Sequence, residues 1–426
     1  MGKQGKQRKR KRLEQDLSNI TNDDEVSLES LSTTLNTLST LANSPHLLSD
    51  KRYKALRVII HRFQNDTLIP AGKSLSGKVS DALRDKQYDI AIDLLASMRQ
   101  RSEVPRLGAL QRWVRDCDAV GFADRMIIRT LDAILRTADP SQVCTTERGV
   151  CTLSGVVYEN TVWSCGPKKS FPYSVYPRES VLSKFDLVGV ELGPDRLPPN
   201  EFDCKIYASR PGTIILSNDS PVTCVTVPFL NESMCLVNVL SVEECNKILA
   251  YAMAIGLQPD RPMSSQLSTL ADNMIWCADE TLMTSIYQRC LPFLPAAIDG
   301  RKIAGINRRW RLYRYTPGAE YRPHIDGGWP GSGVVDGAYV YDEKGDSWSR
   351  LTFLLYLNDD FEDGHTTYFT PSKSEGCLEA FKVVPSAGCV MVFPHGDSRN
   401  ATLHEGSGVS KGAKFIIRTD VLYYKE

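Results

Sequence analysis

The chain has 426 residues, which is too long for one ordinary globular core and predicts two or three domains. Its composition has no extreme, with 42% hydrophobic and 24% charged residues, and this excludes fibrous and low-complexity classes. The 51 basic residues balance 51 acidic residues, so the whole chain has no charge bias toward nucleic acid or acidic membranes.

The beginning of the chain lacks the features of an export signal. Its basic start has no apolar core behind it, and no window of the sequence approaches 18 uninterrupted apolar residues. The sequence therefore predicts an intracellular protein, cytoplasmic or nuclear, without a transmembrane segment. The 12 cysteines contain no Cys-x-x-Cys pair and are expected to be reduced thiols.

Residues 1–30 are polar and charged and are predicted to form a basic disordered tail. The first 12 residues hold seven Lys or Arg and no acidic residue. The run KQRKRKR at residues 6–12 is typical of a nuclear-import signal or a weak nucleic-acid contact. A solvated tail without a partner is the alternative interpretation.

Residues 31–140 are predicted to form an α-helical region. Apolar residues recur at three- and four-residue spacings between Leu83 and Met98, and further helices are predicted over residues 108–119 and 124–137. One segment, DALRDKQYDIAIDLLASMRQRSEVP, resembles a helical-hairpin repeat, but an array needs about three repeats to bury a continuous core. An ordinary helical domain is therefore favoured, with RNA binding by the N-terminal region as the alternative.

Residues 144–230 have a different pattern and are predicted to form a β-rich connector. Short β-prone stretches at residues 155–158, 212–216 and 222–227 alternate with turns rich in Pro and Gly. This pattern discloses no function for the region.

A further domain is predicted over residues 236–426, with its core at residues 306–424. Ser241 and Glu244 have the spacing of a helix capping box, and Asp279 can cap a second helix. The β-prone segments WRLYRY, RLTFLLYLN, TTYF, GCVMVFP and KFIIRTDVLYY follow, separated by turns. This order predicts an antiparallel barrel or a double-sheet jelly roll, and the fold class of the whole chain is α+β multidomain.

Four of the six histidines lie in this last domain. His324 and Asp326 are two residues apart, so on a strand they point to the same face. His404 follows the segment GCVMVFP, where the returning chain can bring it opposite that pair. Two imidazoles and one carboxylate leave coordination positions open, which is the arrangement of non-haem Fe(II) oxygenases. We call these three residues the candidate triad.

Two basic residues on the last strand are candidates to bind a dicarboxylic co-substrate such as 2-oxoglutarate. Lys414 lies ten residues after His404, and Arg418 lies four residues further on the same face of the strand. Either cation can form a charge-assisted hydrogen bond with the far carboxylate.

Four motifs in this domain together resemble the catalytic domain of the prolyl 4-hydroxylase type of 2-oxoglutarate oxygenases. They are YTPGAEYRPHIDGG, RLTFLLYLND, PSAGCVMVFPH and HEGSGVSKGAKFIIRTDVLYY. The resemblance covers residues 236–424 and is densest over residues 310–424. It implies a double-stranded β-helix (jelly roll) fold that requires Fe(II), 2-oxoglutarate and O₂, and frequently L-ascorbate to keep the iron reduced.

Carried over by position, the candidate triad matches the metal ligands of the family. Lys414 matches the basic residue that holds the 2-oxoglutarate carboxylate, although the residue pattern alone leaves Arg418 open. Tyr356 matches a tyrosine that assists the same carboxylate, and Tyr315 is a candidate lining residue near the keto end.

The chain departs from the family pattern in two places and offers a rival ligand. Residues 408–409 are Gly-Val where the family often has Pro-Val. Asp363 and His365 stand where small and acidic residues are common. His395 competes with His404 as the distal ligand, and His404 is favoured because a Gly-x-Lys follows it at the family spacing.

Two functional expectations follow from the resemblance. It implies an Fe(II)- and 2-oxoglutarate-dependent dioxygenase that hydroxylates a C–H bond in a prolyl or other residue of a protein. The glycine-rich residues 327–337 are expected to form a mobile lid that contacts substrate. The alternative is an RNA- or protein-binding helical scaffold whose oxygenase domain modifies the bound partner.

Overall fold

The computed structural model describes residues 27–43, 74–139, 155–169, 173–196, 199–217, 221–261, 271–395 and 401–426. The chain divides into two compact units, residues 1–72 and residues 73–426. The first contains helix α1 (Leu28–Asn43). The basic tail predicted at residues 1–30 lies outside the described residues apart from its last four. No helix in the described ranges is long and apolar enough to cross a bilayer.

Helices and strands of the second unit follow one another in this chain order. The helices are α2 (Leu75–Arg84), α3 (Tyr88–Gln100), α4 (Leu107–Asp118), α5 (Arg125–Ala138), α6 (Arg178–Leu182), α7 (Val242–Ile255) and α8 (Glu280–Cys290). The strands are β1 (Val157–Glu159), β2 (Trp163–Ser164), β3 (Phe185–Glu191), β4 (Cys204–Ser209), β5 (Thr223–Thr226), β6 (Met234–Val237), β7 (Asp272–Cys277), β8 (Ala297–Ile298), β9 (Arg301–Ile306), β10 (Arg309–Tyr315), β11 (Tyr321–His324), β12 (Gly333–Val335), β13 (Ala338–Val340), β14 (Ser347–Tyr356), β15 (Glu362–Asp363), β16 (Thr366–Pro371), β17 (Leu378–Val384), β18 (Val390–Pro394), β19 (Leu403–Gly406), β20 (Val409–Lys411) and β21 (Lys414–Tyr424).

Most strands belong to two sheets. The 11-stranded major sheet has the order β3-β4-β7-β10-β21-β14-β18-β6-β5, with β9 also paired to β21 and β8 to β9. The 6-stranded minor sheet has the order β1-β17-β16-β19-β11, with β2 also paired to β17. In the described residues the two sheets do not close into a barrel. Of the two folds predicted from the sequence, the antiparallel barrel is therefore wrong. Packing one sheet face on another buries apolar side chains without closing the hydrogen-bond ladder.

Three hydrophobic clusters give the unit its layers. One cluster joins α7 and α8 to the major sheet, a second lies between the two sheets, and a third joins α2–α5 to the minor sheet. On β14, Phe353 and Leu355 belong to the first cluster, while Leu354 and Tyr356 belong to the second. Alternate residues of a strand point to opposite faces, so both faces of β14 are buried. This explains why RLTFLLYLN is continuously apolar.

Many of the predicted elements are confirmed. The five β-prone segments of the last domain lie in β10, β14, β16, β18 and β21. The helices predicted over residues 108–119 and 124–137 correspond to α4 and α5. Ser241 forms the predicted capping box with Glu244, and Asp279 caps α8 by accepting a hydrogen bond from the Leu282 amide at 3.1 Å.

The region predicted as a β-rich connector contributes strands to both sheets. Strands β1 and β2 pair with β17 of the minor sheet, and β3, β4 and β5 belong to the major sheet. The strand predicted over residues 212–216 is wrong. Gly212 has a φ of +78° in a turn, and the following Ile214 is buried in the core without strand pairing.

The capping box predicts the stability effect of one substitution. Ser241 accepts a hydrogen bond from the Glu244 amide at 3.2 Å, and the Glu244 carboxylate accepts one from the Ser241 amide at 2.8 Å. We expect Ser241→Ala to lower the free energy of unfolding by about 0.5–2 kcal/mol in urea titrations, because the first turn of α7 loses an acceptor. The control Ser285→Ala, on the exposed side of α8, should stay within about 0.5 kcal/mol of the parent. Equal losses of unfolding free energy in the two variants would contradict the capping role of Ser241.

Candidate metal centre

Strand pairing in the minor sheet brings the candidate triad together. His324 on β11 lies directly opposite His404 on β19 in the antiparallel register, and Asp326 follows β11 by two residues. One ligand atom from each of the three side chains lies within 4.8 Å of the others. A single ion with bonds of about 2.0–2.2 Å to nitrogen and oxygen fits such a spacing after small shifts.

Both imidazoles are oriented by backbone carbonyls. Nδ1 of His324 lies 2.8 Å from the carbonyl oxygen of Arg322, and Nδ1 of His404 lies 3.1 Å from that of Thr402. A carbonyl oxygen only accepts hydrogen bonds, so Nδ1 carries the proton in each ring and Nε2 keeps its lone pair. The two Nε2 atoms lie 3.6 and 3.7 Å from the carboxylate oxygens of Asp326. Three donor atoms with free lone pairs therefore converge.

The carboxylate of Asp326 is held in its charged form. Burial raises its pKa, but the net pKa lies well below the usual range, and the positive charge of the nearby Arg418 guanidinium is the first of the causes that lower it. Thr352 donates a hydrogen bond to Oδ2 at 2.7 Å. Asp326 therefore offers oxygen lone pairs to a cation at neutral pH.

His404 is buried and neutral. Burial, reinforced by the neighbouring His324, lowers the pKa of His404 to about 4. The rings of Phe393 and Tyr368 pack against the imidazole, with centroids 4.9 and 5.9 Å from its own. The neutral form is the one that coordinates a metal.

A cavity of about 650 Å³ opens over the candidate triad and is lined by residues from both sheets and from α4. Its floor is built from alternate residues of two paired strands, Arg309, Arg311, Tyr313 and Tyr315 on β10 and Lys414, Ile416 and Arg418 on β21. In this ladder Tyr315 lies opposite Lys414, and Arg311 lies opposite Arg418. The pairing sets the order of the cationic groups along the cavity.

Lys414 is a buried cation at one end of this floor. Its Nζ lies 5.6 Å from the ring centroid of Tyr315 and 5.9 Å from that of Tyr356, and 3.4 Å from the carbonyl oxygen of His365. Within the described residues it forms no ion pair with a carboxylate. Burial lowers the pKa of Lys414 to about 7. An entering carboxylate can supply the missing counter-charge.

Arg418 differs from Lys414 in having carboxylate partners. Its Nε lies 3.6 Å from Oδ1 of Asp326, and its NH2 group lies 3.1 Å from Oδ1 of Asp420. The same nitrogen donates to the carbonyl oxygen of Gly327 at 3.0 Å. Of the two cations left open by the sequence, Lys414 is thus the one whose charge is available to a ligand.

The two remaining histidines of the domain lie away from the candidate triad. Nε2 of His395 lies 3.5 Å from Oδ1 of Asp420, and this buried ring does not line the cavity. His365 is half-buried and lines a separate cavity with Asp363 and Lys168. The geometry therefore favours His404 over His395 as a partner of Asp326.

Residues 327–337, expected to form a mobile lid, are tied to the strands beside them. The amide of Trp329 donates to Oγ of Ser349 at 2.7 Å, and the Ser349 amide donates back to the Trp329 carbonyl at 2.8 Å. Asn307 donates to the Pro330 carbonyl at 2.9 Å. Trp329 lines the cavity and covers the guanidinium of Arg309, 4.3 Å from the ring centroid. These contacts favour a fixed part of the cavity wall over the mobile lid expected from the sequence.

Sequence reasoning missed several side chains that support the site. Thr352 bonds Asp326, and Thr366 accepts a hydrogen bond from the Tyr356 hydroxyl at 2.9 Å while lining the cavity. The sequence did offer a signal for Thr352. It is a polar residue inside the apolar segment RLTFLLYLN, and on a strand it shares a face with Tyr356. The contribution of α4 had no local signal.

Comparisons with known proteins complete the description of the site. Residues 310–419 match the family described as "2OG-Fe(II) oxygenase superfamily". No curated protein sequence matches the chain. The collagen prolyl hydroxylase of Paramecium Bursaria Chlorella virus-1, solved with 2-oxoglutarate, is a similar structure at 20% identity and a TM-score of 0.30, covering 46% of this chain and 96% of its own.

Two further solved structures show likenesses of similar extent. A Pseudomonas putida prolyl-4-hydroxylase has 17% identity and a TM-score of 0.28 over 45% of this chain and 91% of its own. A Trichoplax adhaerens prolyl hydroxylase, in complex with a hypoxia inducible factor peptide fragment, has 15% identity and a TM-score of 0.21 over 47% and 66%. At such scores the structural likenesses decide nothing.

The family match covers the strands that carry the candidate triad and the Lys414 cation. It confirms the resemblance stated from the sequence motifs. Fe(II), 2-oxoglutarate and O₂ are the requirements that this family implies. Residues 310–419 therefore form a 2OG-Fe(II) oxygenase domain, and the 2-oxoglutarate-dependent dioxygenase activity expected from the motifs belongs to this part of the chain.

Proposed function

We propose that His324, Asp326 and His404 bind Fe(II) in this protein, and that Lys414 binds the far carboxylate of 2-oxoglutarate. The observation that carries the proposal is the convergence of one ligand atom from each of two imidazoles and one carboxylate, all within 4.8 Å of one another, in a single cavity. Nitrogen and oxygen donors with open positions are the ligand set of non-haem Fe(II) oxygenases. The reaction class is hydroxylation of a substrate C–H bond.

The protein's own residues hold and orient the reactants. The carbonyls of Arg322 and Thr402 keep the imidazoles in the tautomer that leaves Nε2 free, and Thr352 fixes the Asp326 carboxylate. Lys414 and the aromatic rings beside it form a dry end that suits a carboxylate paired with an ammonium. Iron bound by these residues would supply the oxidation chemistry, in which one oxygen atom of O₂ enters succinate as 2-oxoglutarate loses carbon dioxide and the other oxidises the substrate.

For the substrate, we propose a prolyl or similar residue of a protein. The support is the resemblance of the motifs to the prolyl 4-hydroxylase type, together with a cavity large enough for a side chain and its flanking backbone. L-ascorbate is proposed as the reductant on the same resemblance. A helical scaffold that presents RNA or another partner to the oxygenase domain stays the alternative prediction.

The proposal is tested by turnover of 2-oxoglutarate in matched histidine variants. Purified protein with Fe(II) should form succinate even without substrate, and His404→Asn should reduce the rate about 100-fold or more, since even outer partners of a ligand contribute about 10–100-fold. His395→Asn, a buried histidine outside the cavity, is the matched control and should keep activity. If neither the parent protein nor the control forms succinate, the proposal fails.

A second prediction separates the two cations of β21. Lys414→Ala should raise the KM for 2-oxoglutarate about 10-fold or more, because a hydrogen bond to a charged group contributes about 1.5–3 kcal/mol. Arg418→Ala should raise it less, because the Arg418 guanidinium already has Asp326 and Asp420 as carboxylate partners. The measurement is succinate formation at varied 2-oxoglutarate. The opposite order would transfer the anchoring role to Arg418.

The pKa of Lys414 predicts how co-substrate binding depends on pH. Its pKa near 7 means that the ammonium is present below pH 7 and lost above it, so binding a carboxylate at higher pH requires proton uptake. We expect the Kd for 2-oxoglutarate, measured by calorimetry, to rise from pH 7 to 9 by up to about tenfold per unit.

Lys414→Arg is the control for this pH dependence, since a guanidinium stays charged throughout this range. Its binding should therefore be flat from pH 7 to 9. If the Kd of the parent protein for 2-oxoglutarate does not change over that range, Lys414 does not lose its charge above pH 7 and the prediction is wrong.

A further inference from the structure

Strand β11, which carries His324 and leads to Asp326, is weakly held by its own sheet. It is the last strand of the minor sheet and pairs on one side with β19 alone. The pairing is irregular, since the register shifts between its two paired positions, Tyr321 and His324. An edge strand with a broken ladder does not by itself fix two metal ligands to the precision that coordination requires.

Helix α4 occupies the position beside β11 and contacts it on both sides of His324. On one side Arg322 donates to both carboxylate oxygens of Asp118, at 2.8 and 2.9 Å, and to the Asp118 carbonyl at 3.0 Å. The carbonyl of Arg322 is the group that orients the ring of His324. Asp118 therefore fixes the residue whose backbone sets the imidazole tautomer and direction.

On the other side of His324, α4 holds the residue between the two ligands. Nε2 of Gln111 donates to the carbonyl oxygen of Ile325 at 3.0 Å. The Ile325 side chain is buried in the cluster formed by the helices, which includes Trp113 and Leu110 of α4. Ile325, the middle residue of the His-x-Asp segment, is thus held by a hydrogen bond to its carbonyl and by apolar packing of its side chain.

We infer that Gln111 and Asp118 are positioning residues of the metal centre, acting through the backbone of Arg322 and Ile325. This inference rests on the proposed Fe(II) site. Both residues lie more than 200 positions before His324 and Asp326 and outside the matched segment of residues 310–419. The same helix lines the cavity with Leu107 and Arg115, so it contributes to the substrate wall as well as to the ligand strand.

The expected signature is a loss of metal affinity that does not follow the loss of stability. Partners that orient metal ligands typically contribute about 10–100-fold to affinity. We expect Gln111→Ala and Asp118→Ala to raise the Kd for Co(II), a ferrous substitute followed by its visible absorption, by about 10–100-fold. The full-length protein is titrated, and the Tm of each metal-free protein is measured in parallel.

The matched control is Arg99→Ala on α3. Arg99 also ties a helix to the minor sheet side, through Glu375 in the turn between β16 and β17 at 3.1 Å, and its hydrogen bonds go to Glu375 and Ala133 rather than to the His-x-Asp segment. Its Kd for Co(II) should stay within about twofold of the parent even if its Tm falls. If the Co(II) affinity falls in proportion to the Tm in all three variants, α4 is only a structural support, and the inference is overturned.

Gln111→Ala keeps the test decisive if Asp118→Ala fails to fold, because it removes one hydrogen bond from a half-buried residue. A folded Gln111→Ala protein with the parent Kd for Co(II) would overturn the inference while leaving the proposed metal site intact. A parent protein that does not bind Co(II) would overturn the proposed site and the inference together.

Discussion

The antiparallel pairing of β11 with β19 is the interaction on which the rest of the site depends. It sets His324 directly opposite His404 although 80 residues separate them, and it leaves Asp326 just beyond the strand end. Side chains opposite one another in a ladder lie about 5 Å apart, which is the spacing that one bridging ion can use. The carbonyls that orient both rings come from the same two chain segments. A shift of one residue would turn one imidazole to the other face of the sheet, away from the cavity.

The two cations of β21 illustrate how position decides the chemistry of similar groups. Lys414 and Arg418 share one face of one strand, yet Arg418 is surrounded by Asp326, Asp420 and the Gly327 carbonyl. Lys414 lies among aromatic rings, where burial disfavours its charged form. A carboxylate that enters this end restores the charge balance. The proposed anchoring role therefore follows from what surrounds each cation rather than from its place in a motif.

The layered core explains why the helices outside the matched segment belong to the functional unit. Residues of α2–α5 bury one face of the minor sheet, and the opposite face contributes to the cavity. Closely packed layers transmit small displacements, because interiors have few voids to absorb them. A helix that contacts the backbone on both sides of a ligand can therefore affect that ligand without touching the ion.

The sequence by itself determined the features whose signals are local. The two-residue spacing of His324 and Asp326, the capping box at Ser241 and the apolar runs of the long strands depend on neighbours in the chain, and the structure contains each of them. Only the tertiary structure decided that the sheets stay open, that Lys414 rather than Arg418 lacks a carboxylate partner among the described residues, and that α4 lies against β11. Those outcomes depend on contacts between segments that lie as many as 214 residues apart, and no local periodicity or spacing carries information about such contacts.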